Sequence, residues 1–324
     1  MTLTQELLTR ALEARTDLIA DLTSELTTCY RLFHGAAEGR PGLTLDRYGP
    51  ILLAQTWDEK LTDDELKVVL DAAGELTPVY NHRKKPVDFD AHFPMEPIEA
   101  LGEELGMVYD VRPRHRGQDP LLFLDFRAAR RRVRLEARGL HVLNLFAYTC
   151  SMGQIAHSAD AAHVLNVDFA SSALEVGRSN VPRNHSGSGT MEFFESDCLP
   201  ALWQLSGKTL PRRRGRTPSI EPHEFDIVVL DPPRLSKSRF GTVDVVGDYP
   251  TLLKPCVQIC GPGGKILATN HVPSVALEDW TSMLRRTVEK AERRIESLEI
   301  LEPEADFPSF DGSHPLKMAW ITLD

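Results

Sequence analysis

The sequence predicts an α/β fold in which a doubly wound parallel sheet follows a smaller N-terminal α/β domain. With 324 residues, the chain exceeds the roughly 150 residues that one domain typically holds, so we expect two domains. Before residue 120 the apolar pattern is mostly short and strand-like, whereas strands and helices alternate regularly after it. Such alternation is typical of a parallel sheet that helices cover on both faces.

The N-terminal third contains two predicted parts. Residues 1–29 are expected to form one amphipathic helix, because leucines recur there at helical spacing. Residues 30–120 are expected to form the small α/β domain. Its predicted elements are a helix at 62–73, which Thr62 and Glu65 open as a capping box, and strands at 43–48, 51–57 and 79–83.

Residues 121–324 are expected to form the second domain. Its predicted strands lie at 141–147, 162–168, 191–196, 225–230, 264–270, 295–301 and 316–323. Its predicted helices lie at 152–160, 171–185, 199–205, 249–260 and 277–294. In open sheets of this kind, ligands bind outside the carboxyl ends of the strands, near the switch in strand order. A stretch rich in Arg, Pro and Gly at 207–222 is predicted to be a disordered loop.

The composition is ordinary for a globular protein, with 42% hydrophobic and 26% charged residues. No run of about 18 apolar residues and no signal peptide is found, so we expect a cytoplasmic protein without a membrane span.

The five cysteines are few, odd in number and widely spread, which favours reduced thiols. Cys256 and Cys260 stand four residues apart, but no second pair or histidine at ligand spacing accompanies them. Buried core thiols are therefore favoured, and no metal site is predicted.

The charge distribution points in two directions. A net charge of −10 argues against nucleic-acid binding over the whole surface. The basic residues are nevertheless bunched into four groups, each of which could alone be a solvated face, and together they favour a local surface for an anionic partner. The groups are Arg112, Arg114 and Arg116; the six arginines from Arg127 to Arg138; Arg212, Arg213, Arg214 and Arg216; and His82, Arg83, Lys84 and Lys85.

Three predicted strands end in residues that suit an adenosine-like ligand. Only Gly153 stands in the turn after the first strand, so the glycine-rich dinucleotide fingerprint is absent and a ligand without a pyrophosphate is favoured. Asp168 ends the second strand and can accept both ribose hydroxyls, or merely cap the next helix. Asp197 follows the third strand and can bond an adenine amino group, or cap its own helix.

The sharpest motif is the run of Asp231, Pro232, Pro233 and Arg234 after the fourth strand. Two prolines fix the backbone φ angle and remove two N–H donors, so the segment is rigid and presents bare carbonyl groups. An acid beside rigid carbonyls can hold a planar nitrogen base by its amino hydrogens while a methyl group approaches. The alternative is a proline-terminated strand without chemistry.

Together these motifs resemble those of the class I S-adenosylmethionine-dependent methyltransferases. The chain resembles more closely the bacterial family that modifies large-subunit ribosomal RNA, with its 5-methylcytosine enzymes and 7-methylguanine relatives. The resemblance covers residues 30–324, and its fold is a Rossmann-like, doubly wound, seven-stranded sheet after a small domain. Its segments are RLFHG (31–35), PGLTLDRYG (41–49), FLDFR (123–127), NLFAYT (144–149), DPP (231–233) and LK (316–317).

The resemblance implies S-adenosylmethionine as the cofactor and assigns the site residues. Asp168 would take the ribose and Asp197 the adenine, while Asp231 and Pro232 would face the methyl group and the acceptor base. Arg127 would approach the cofactor or the substrate from the junction of the two domains. The residues implied at the cofactor are Arg127, Asn144, Phe146, Tyr148, Thr149, Asp168, Asp197 and Asp231.

The sequence departs from the family pattern at three places. Residues 1–28 read as a helix where family members often carry an RNA-binding module, and Cys150 stands where the family usually has glycine. The 5-methylcytosine members place a nucleophilic cysteine after the fifth strand, because carbon-5 of a pyrimidine reacts only once a thiolate has added to the ring. Asn270 and His271 stand there instead. We therefore reject 5-methylcytosine chemistry, since a nitrogen acceptor needs positioning more than activation.

These observations predict an enzyme that methylates a base nitrogen in ribosomal RNA. Its catalytic residues would be Asp231, Pro232 and Asn270, and the arginines near Arg112 and from Arg127 to Arg138 would contact RNA phosphates. Two alternatives stay open: a methyltransferase for a small molecule or protein, and a non-catalytic protein that keeps the cofactor fold. The oligomeric state is left open.

Overall fold

The computed structural model describes residues 3–84, 100–113, 119–184, 187–210, 219–238 and 241–324. The chain divides into two units. The small unit comprises Met1–Arg127 and Pro303–Ser313, and the large unit comprises Ala128–Glu302 and His314–Asp324. No helix in the described ranges is long and apolar enough to cross a membrane.

The small unit is built on a four-stranded sheet in the order β1-β2-β3-β4, antiparallel except for the parallel pair β3 and β4. The strands are β1 (Cys29–His34), β2 (Leu43–Tyr48), β3 (Ile51–Thr56) and β4 (Thr77–His82). The helices are α1 (Leu3–Ala14), α2 (Thr16–Ser24), α3 (Gly35–Glu38) and α4 (Asp63–Ala73), and a hairpin of β5 (Leu101–Glu104) and β6 (Met107–Asp110) follows. The predicted capping box of Thr62 and Glu65 is confirmed at the start of α4.

The N-terminal segment differs from its prediction. It forms two helices, and the break lies at Arg15, which has φ −103° and ψ 4°. The Arg15 side chain is buried and bonds the Glu38 carboxylate and the Asp306 carbonyl. Leu8 and Ala11 pack in one core with the sheet. Residues 1–29 are therefore part of the small unit.

Arg127 anchors the second stretch of the small unit, Pro303–Ser313. Its guanidinium is 0% exposed and lies 2.8 Å from both Asp306 Oδ2 and Glu304 Oε2, and 3.4 Å from Glu104 Oε1. Its Nη2 also donates to the Cys29 carbonyl. Although burial lowers the pKa of Arg127, these carboxylates raise it above its ordinary value overall. Because these contacts enclose the guanidinium, we revise the expectation that Arg127 approaches the cofactor.

The large unit contains the predicted seven-stranded sheet. The strands are β7 (His141–Leu145), β8 (His163–Asp168), β9 (Thr190–Glu195), β10 (Phe225–Leu230), β13 (Cys260–Asn270), β14 (Ile295–Leu301) and β15 (Lys317–Leu323); β11 (Leu235–Ser238) and β12 (Gly241–Asp244) form a separate hairpin. The order is β14-β15-β13-β10-β7-β8-β9, and β15 runs antiparallel to both neighbours. This arrangement confirms the Rossmann-like fold that the sequence predicts.

Helices cover the large sheet, and prolines explain where one of them ends early. The helices are α5 (Arg127–Glu136), α6 (Ser151–Ser158), α7 (Ser171–Asn180), α8 (Cys198–Leu205), α9 (Val245–Ile259) and α10 (Leu277–Lys290). The predicted helix at 171–185 ends at Asn180, because Pro182 cannot donate a helical hydrogen bond, and a 3₁₀ turn follows. Helix α9 begins earlier than predicted, since the Asp244 side chain accepts the Val246 N–H as its N-cap.

Several arginines of α5 that were predicted to contact phosphates pack against the protein instead. Arg130 is 1% exposed. Arg132 bridges Glu136 and Glu299 at 3.2 and 3.1 Å and lies over the Trp320 ring. Of the six arginines, only Arg134 and Arg138 are exposed.

Of the other three basic groups, the structure describes only some members, and two of these form ion pairs with acids. Arg112 forms an ion pair with Asp110 at 2.6 Å, and Arg83 forms one with Asp119. The remaining members Arg114, Arg116, Arg212, Arg213, Arg214, Arg216 and Lys85 lie outside the described residues. The prediction that the arginines from Arg127 to Arg138 contact RNA phosphates is therefore limited to the two exposed ones, Arg134 and Arg138.

Helices α6 and α7 meet at a tight contact between Cys150 and Gly177. A Cβ atom on Gly177 would lie 2.7 Å from the Cys150 Sγ and 3.2 Å from the Phe193 ring. The Cys150 thiol is fully buried and packs with Leu174. Cys150 has φ +63°, a conformation that favours glycine.

Removing the Asp306 carboxylate should destabilise the protein strongly. We expect Asp306→Ala to lower the free energy of unfolding by about 3–5 kcal/mol, because the buried Arg127 charge loses its closest bidentate partner. Urea denaturation measures the change. Glu302→Ala, which removes an exposed carboxylate nearby, should stay within about 0.5 kcal/mol of the parent. Equal losses in the two variants would contradict the role of the Arg127 cluster.

The Cys150–Gly177 contact predicts a coupled pair of substitutions. Gly177→Ala should cost about 1–3 kcal/mol of unfolding free energy, because the new methyl group overlaps the thiol. In a Cys150→Gly background the overlap is gone and the left-handed backbone is relaxed, so the cost should fall by at least about 1 kcal/mol. A double-mutant cycle by thermal denaturation measures the coupling, and strictly additive effects would refute it.

Candidate active site

The carboxyl ends of β7 and β10 meet at the switch in strand order. From β7, the chain continues to β8 and β9 on one side of the sheet, while β10 and β13 lie on the other. Leu145 and Leu230, the last residues of β7 and β10, are register partners. The two exit segments therefore leave the sheet side by side, where open α/β sheets bind ligands.

The turn after β7 has an unusual backbone. Phe146, Tyr148 and Cys150 all lie at positive φ, at 56°, 49° and 63°, although none is glycine. Each such residue costs on the order of 1–3 kcal/mol and persists only where its surroundings fix it. The Phe146 N–H donates to the Cys198 thiol, and the Tyr148 N–H donates to Asp168 Oδ2 at 2.8 Å. The side chains of Phe146 and Tyr148 are half-buried, and Thr149 is buried.

Asp168 ends β8, beside the turn that follows β7. It is 6% exposed, and its two carboxylate oxygens accept the N–H groups of Tyr148 and Ala170, each at 2.8 Å. Burial raises the pKa of the Asp168 carboxyl more than these bonds lower it. The Phe169 N–H is a third backbone donor to this carboxylate, and a carboxylate offers about four lone-pair positions, so one stays available for a ligand hydroxyl. The neighbouring Phe169 is 61% exposed, so the acid and an open aromatic ring stand together at the strand end.

Asn144 has a different place from the predicted one. Its Nδ2 donates to Asn166 Oδ1 at 2.9 Å, and Asn166 donates onward to the Glu192 carbonyl, which links β7, β8 and β9. A Cβ atom on Gly153 would lie 2.1 Å from Asn166 Oδ1. The pair therefore lies beneath α6, and Gly153 is the residue that lets this helix approach. We revise the cofactor contact expected of Asn144.

Asp197 caps helix α8. Its Oδ1 accepts the Leu199 N–H at 3.0 Å, and the residue is half-buried. This is the capping role that the sequence left open as an alternative. The bond uses one of the two carboxylate oxygens.

Asp231 joins two residues of the neighbouring strand exit. Its Oδ1 accepts the Thr269 hydroxyl at 2.5 Å and lies 2.7 Å from His271 Nε2. The side chains of Asp231 and His271 are 24% and 38% exposed, so the pair faces solvent at the sheet edge. Pro232 is buried, whereas Pro233 and Arg234 are exposed.

Asn270 lies on the other face of β13. It is 1% exposed, and its Oδ1 accepts the Val272 N–H at 2.8 Å. Side chains alternate along a strand, so Thr269 and His271 share the face that meets Asp231 and Asn270 does not. The prediction of Asn270 in the site is revised for that reason. Strand alternation is the signal that would have selected Thr269 and His271 from the sequence.

None of the thiols is placed for nucleophilic chemistry. All five cysteines are buried, as the sequence predicts. Burial raises the pKa of Cys260 to about 12 and the pKa values of Cys198 and Cys256 well above the ordinary range. These groups stay protonated near neutral pH, and a protonated thiol is a poor nucleophile.

Comparison with known proteins assigns this architecture. The sequence model of the S-adenosylmethionine-dependent methyltransferases matches residues 59–321. The ribosomal RNA large subunit methyltransferase I of Shewanella frigidimarina is 26% identical over 310 residues, which cover 92% of this chain and 74% of that protein.

Solved structures agree at the level of the fold. A structure described as a methyltransferase complexed with SAH aligns with a TM-score of 0.79 at 21% identity and covers 98% of this chain and 80% of its own. The SAM-dependent methyltransferase from Agrobacterium tumefaciens aligns with a TM-score of 0.63 at 17% identity, covering 87% of each chain.

The residues at the sheet edge fit this cofactor. Asp168 offers lone pairs for the hydroxyls of a ribose, the exposed Phe169 ring offers an apolar face, and the turn after β7 lacks the glycine-rich cradle that a pyrophosphate needs. S-adenosylmethionine is thus the cofactor of this enzyme. With most of its length matched and the seven-stranded sheet in place, the chain belongs to the class I S-adenosylmethionine-dependent methyltransferase family.

Proposed function

We propose that this enzyme methylates a nitrogen atom of a base in ribosomal RNA. The observation that carries the proposal is the composition of the edge at Asp231, where a carboxylate, the Thr269 hydroxyl and the His271 imidazole meet. All five thiols lie buried in the core instead. A carbon acceptor on a pyrimidine would need a thiolate, whereas a nitrogen acceptor brings its own lone pair.

On the cofactor side, S-adenosylmethionine supplies an electrophilic methyl group. Asp168 would hold the ribose through the lone-pair capacity that its backbone contacts leave, and Phe169 would lie against the adenine. Asp197 would meet the adenine amino group through the oxygen that does not cap α8. The turn of Phe146, Tyr148 and Thr149 would line the methionine part.

On the acceptor side, the chain positions the base and removes a proton. The Pro232 carbonyl and the Asp231 carboxylate would accept hydrogen bonds from the base, which orients its nitrogen toward the methyl group. Thr269 and His271 hold the carboxylate in place through Oδ1. A nitrogen that carries a hydrogen loses a proton when it gains a methyl group, and the partly exposed Asp231–His271 pair is placed to take it. A ring nitrogen without a hydrogen keeps the positive charge and needs only positioning.

An RNA substrate is supported by the relatives and by part of the surface. Proteins named as ribosomal RNA large subunit methyltransferases match most of this chain. Exposed Arg134 and Arg138 could contact phosphates. Such a substrate would place the enzyme in the cytoplasm. A small-molecule or protein substrate is the second candidate, because the net charge is −10 and Arg127, Arg130 and Arg132 are committed to packing.

The ribose contact predicts a loss of cofactor affinity. Asp168→Ala should weaken S-adenosylhomocysteine binding by about 10- to 100-fold in calorimetry, because hydrogen bonds to a charged group contribute about 1.5–3 kcal/mol. Glu175→Ala removes an exposed carboxylate from the following helix and should leave the affinity unchanged. Unchanged binding by the Asp168 variant would show that the ribose lies elsewhere.

The acceptor proposal predicts a specific change in ribosomal RNA. Mass spectrometry of nucleosides from a gene-deletion strain should show the loss of one N-methylated base compared with the parent strain. The wild-type gene and the Cys260→Ala variant should restore it, because no thiol takes part. The Asp231→Ala variant should restore at least about 100-fold less, since it loses orientation and proton transfer together.

Two outcomes would contradict the acceptor proposal. Loss of a carbon-methylated pyrimidine would place the acceptor on carbon. An unchanged nucleoside profile, with S-adenosylhomocysteine binding intact, would favour the small-molecule or protein substrate.

A further inference from the structure

Three histidines of the large unit converge at the amino ends of its parallel strands. His141 begins β7, His163 begins β8, and His223 lies two residues before β10. One ring nitrogen from each lies within 4.8 Å of the other two, and all three residues are half-buried. This edge is the end of the strands opposite to the one that carries Asp168 and Asp231.

The imidazoles contact one another directly. His141 Nδ1 lies 2.9 Å from His223 Nε2, and the two rings are nearly coplanar, at 3°. The His163 ring stands edge-on to both, with centroid distances of 5.7 and 5.4 Å. Only one hydrogen fits between two facing nitrogens, so His141 and His223 share a single proton.

A histidine of the large unit outside the cluster bonds to oxygen instead. His157, which is also buried in the large unit, directs its Nε2 at the Gly189 carbonyl at 3.1 Å. In the cluster, by contrast, the Nδ1 of His141 faces the Nε2 of His223. A cation that replaces the shared proton would find a lone pair on each of these two nitrogens, because a neutral imidazole that has lost this hydrogen is an acceptor there.

We propose that His141, His163 and His223 bind a zinc ion, which takes the place of the shared proton. Three imidazole nitrogens with water in the fourth position form a zinc set with Zn–N distances of about 2.0–2.1 Å, so ligand atoms stand about 3.3 Å apart. In the cluster the His141 and His223 nitrogens are 2.9 Å apart, and one nitrogen from each ring lies within 4.8 Å of the other two. Small side-chain rotations therefore suffice to close the site.

The surroundings favour a cation. The Glu192 carboxylate lies 3.2 Å from His163 Nε2, and the Asp226 carboxylate accepts the His141 backbone N–H at 2.8 Å. A carboxylate bonded to a ligand imidazole orients the ring and raises its basicity. The two acids also supply negative charge beside the ion.

The site would be structural. His223 follows the stretch that leads from α8 into β10, while His141 and His163 belong to adjacent strands. A bound ion would tie residues 219–224, which directly precede β10, to the edge of the sheet. Because the ion lies at the amino ends of the strands, methyl transfer does not pass through it.

Zinc titration of the full-length protein tests the proposal. Protein without a polyhistidine tag is treated with a chelator, dialysed and titrated with zinc chloride in a calorimeter. One ion per chain should bind with a dissociation constant of about 1 μM or tighter, and His163→Gln and His223→Gln should each weaken it at least tenfold. His314→Gln, which alters a histidine of the same unit outside the cluster, should bind as the parent does. Cobalt substitution should give the visible absorption of a tetrahedral ion in the parent and in His314→Gln, but not in a variant that lacks all three histidines.

The readouts separate loss of the site from loss of the fold. S-adenosylhomocysteine binding of the metal-free variants should equal that of the parent, because the cofactor edge is remote from the histidines. Zinc should raise the melting temperature of the parent but not of His163→Gln. Absence of stoichiometric zinc binding in the parent would overturn the proposal, as would full binding in a variant that lacks all three histidines.

Discussion

The active edge depends on the hydrogen bond from the Tyr148 N–H to the Asp168 carboxylate. Asp168 ends β8 while Tyr148 lies in the turn after β7, so one bond fixes two strand exits against each other. It also helps to hold a turn in which Phe146, Tyr148 and Cys150 have left-handed backbones. A turn of this kind persists only when its surroundings determine it. The same carboxylate can therefore shape the turn and receive the ligand.

Most of the large sheet could be predicted, because runs of apolar and β-branched residues give strong local patterns. Phe225–Leu230 and Ile295–Leu301 have the predicted bounds. The hairpin of Leu101–Glu104 and Met107–Asp110 was not predicted, since four-residue strands carry too little pattern. The break at Arg15 also escaped prediction, because it depends on partners distant in sequence, Glu38 and Asp306.

Site residues were harder to predict than strands, because their roles depend on which face a side chain occupies. Asp168 and Asp231 follow from their places at strand ends. Asn270 was chosen over His271, although alternation along the strand directs only the latter to Asp231. The arginines from Arg127 to Arg138 were predicted to contact phosphates, but Arg127 and Arg130 are buried. The charge of a residue in the sequence does not show whether its side chain is buried. His141, His163 and His223 come together only in the folded sheet, so their spacing in the sequence does not predict the cluster.

The two ends of the sheet thus carry different groups, with Asp168 and Asp231 at the carboxyl edge and the three clustered histidines at the amino edge. The central claim concerns the carboxyl edge: methyl transfer to nitrogen without a thiolate. The most direct measurement uses S-adenosylmethionine with a ¹³C-labelled methyl group and ribosomal RNA from a deletion strain. The chemical shift of the transferred carbon reports the atom to which it is bonded. We predict the shift of an N-methyl group on a base; that of a C-methyl group would contradict the account.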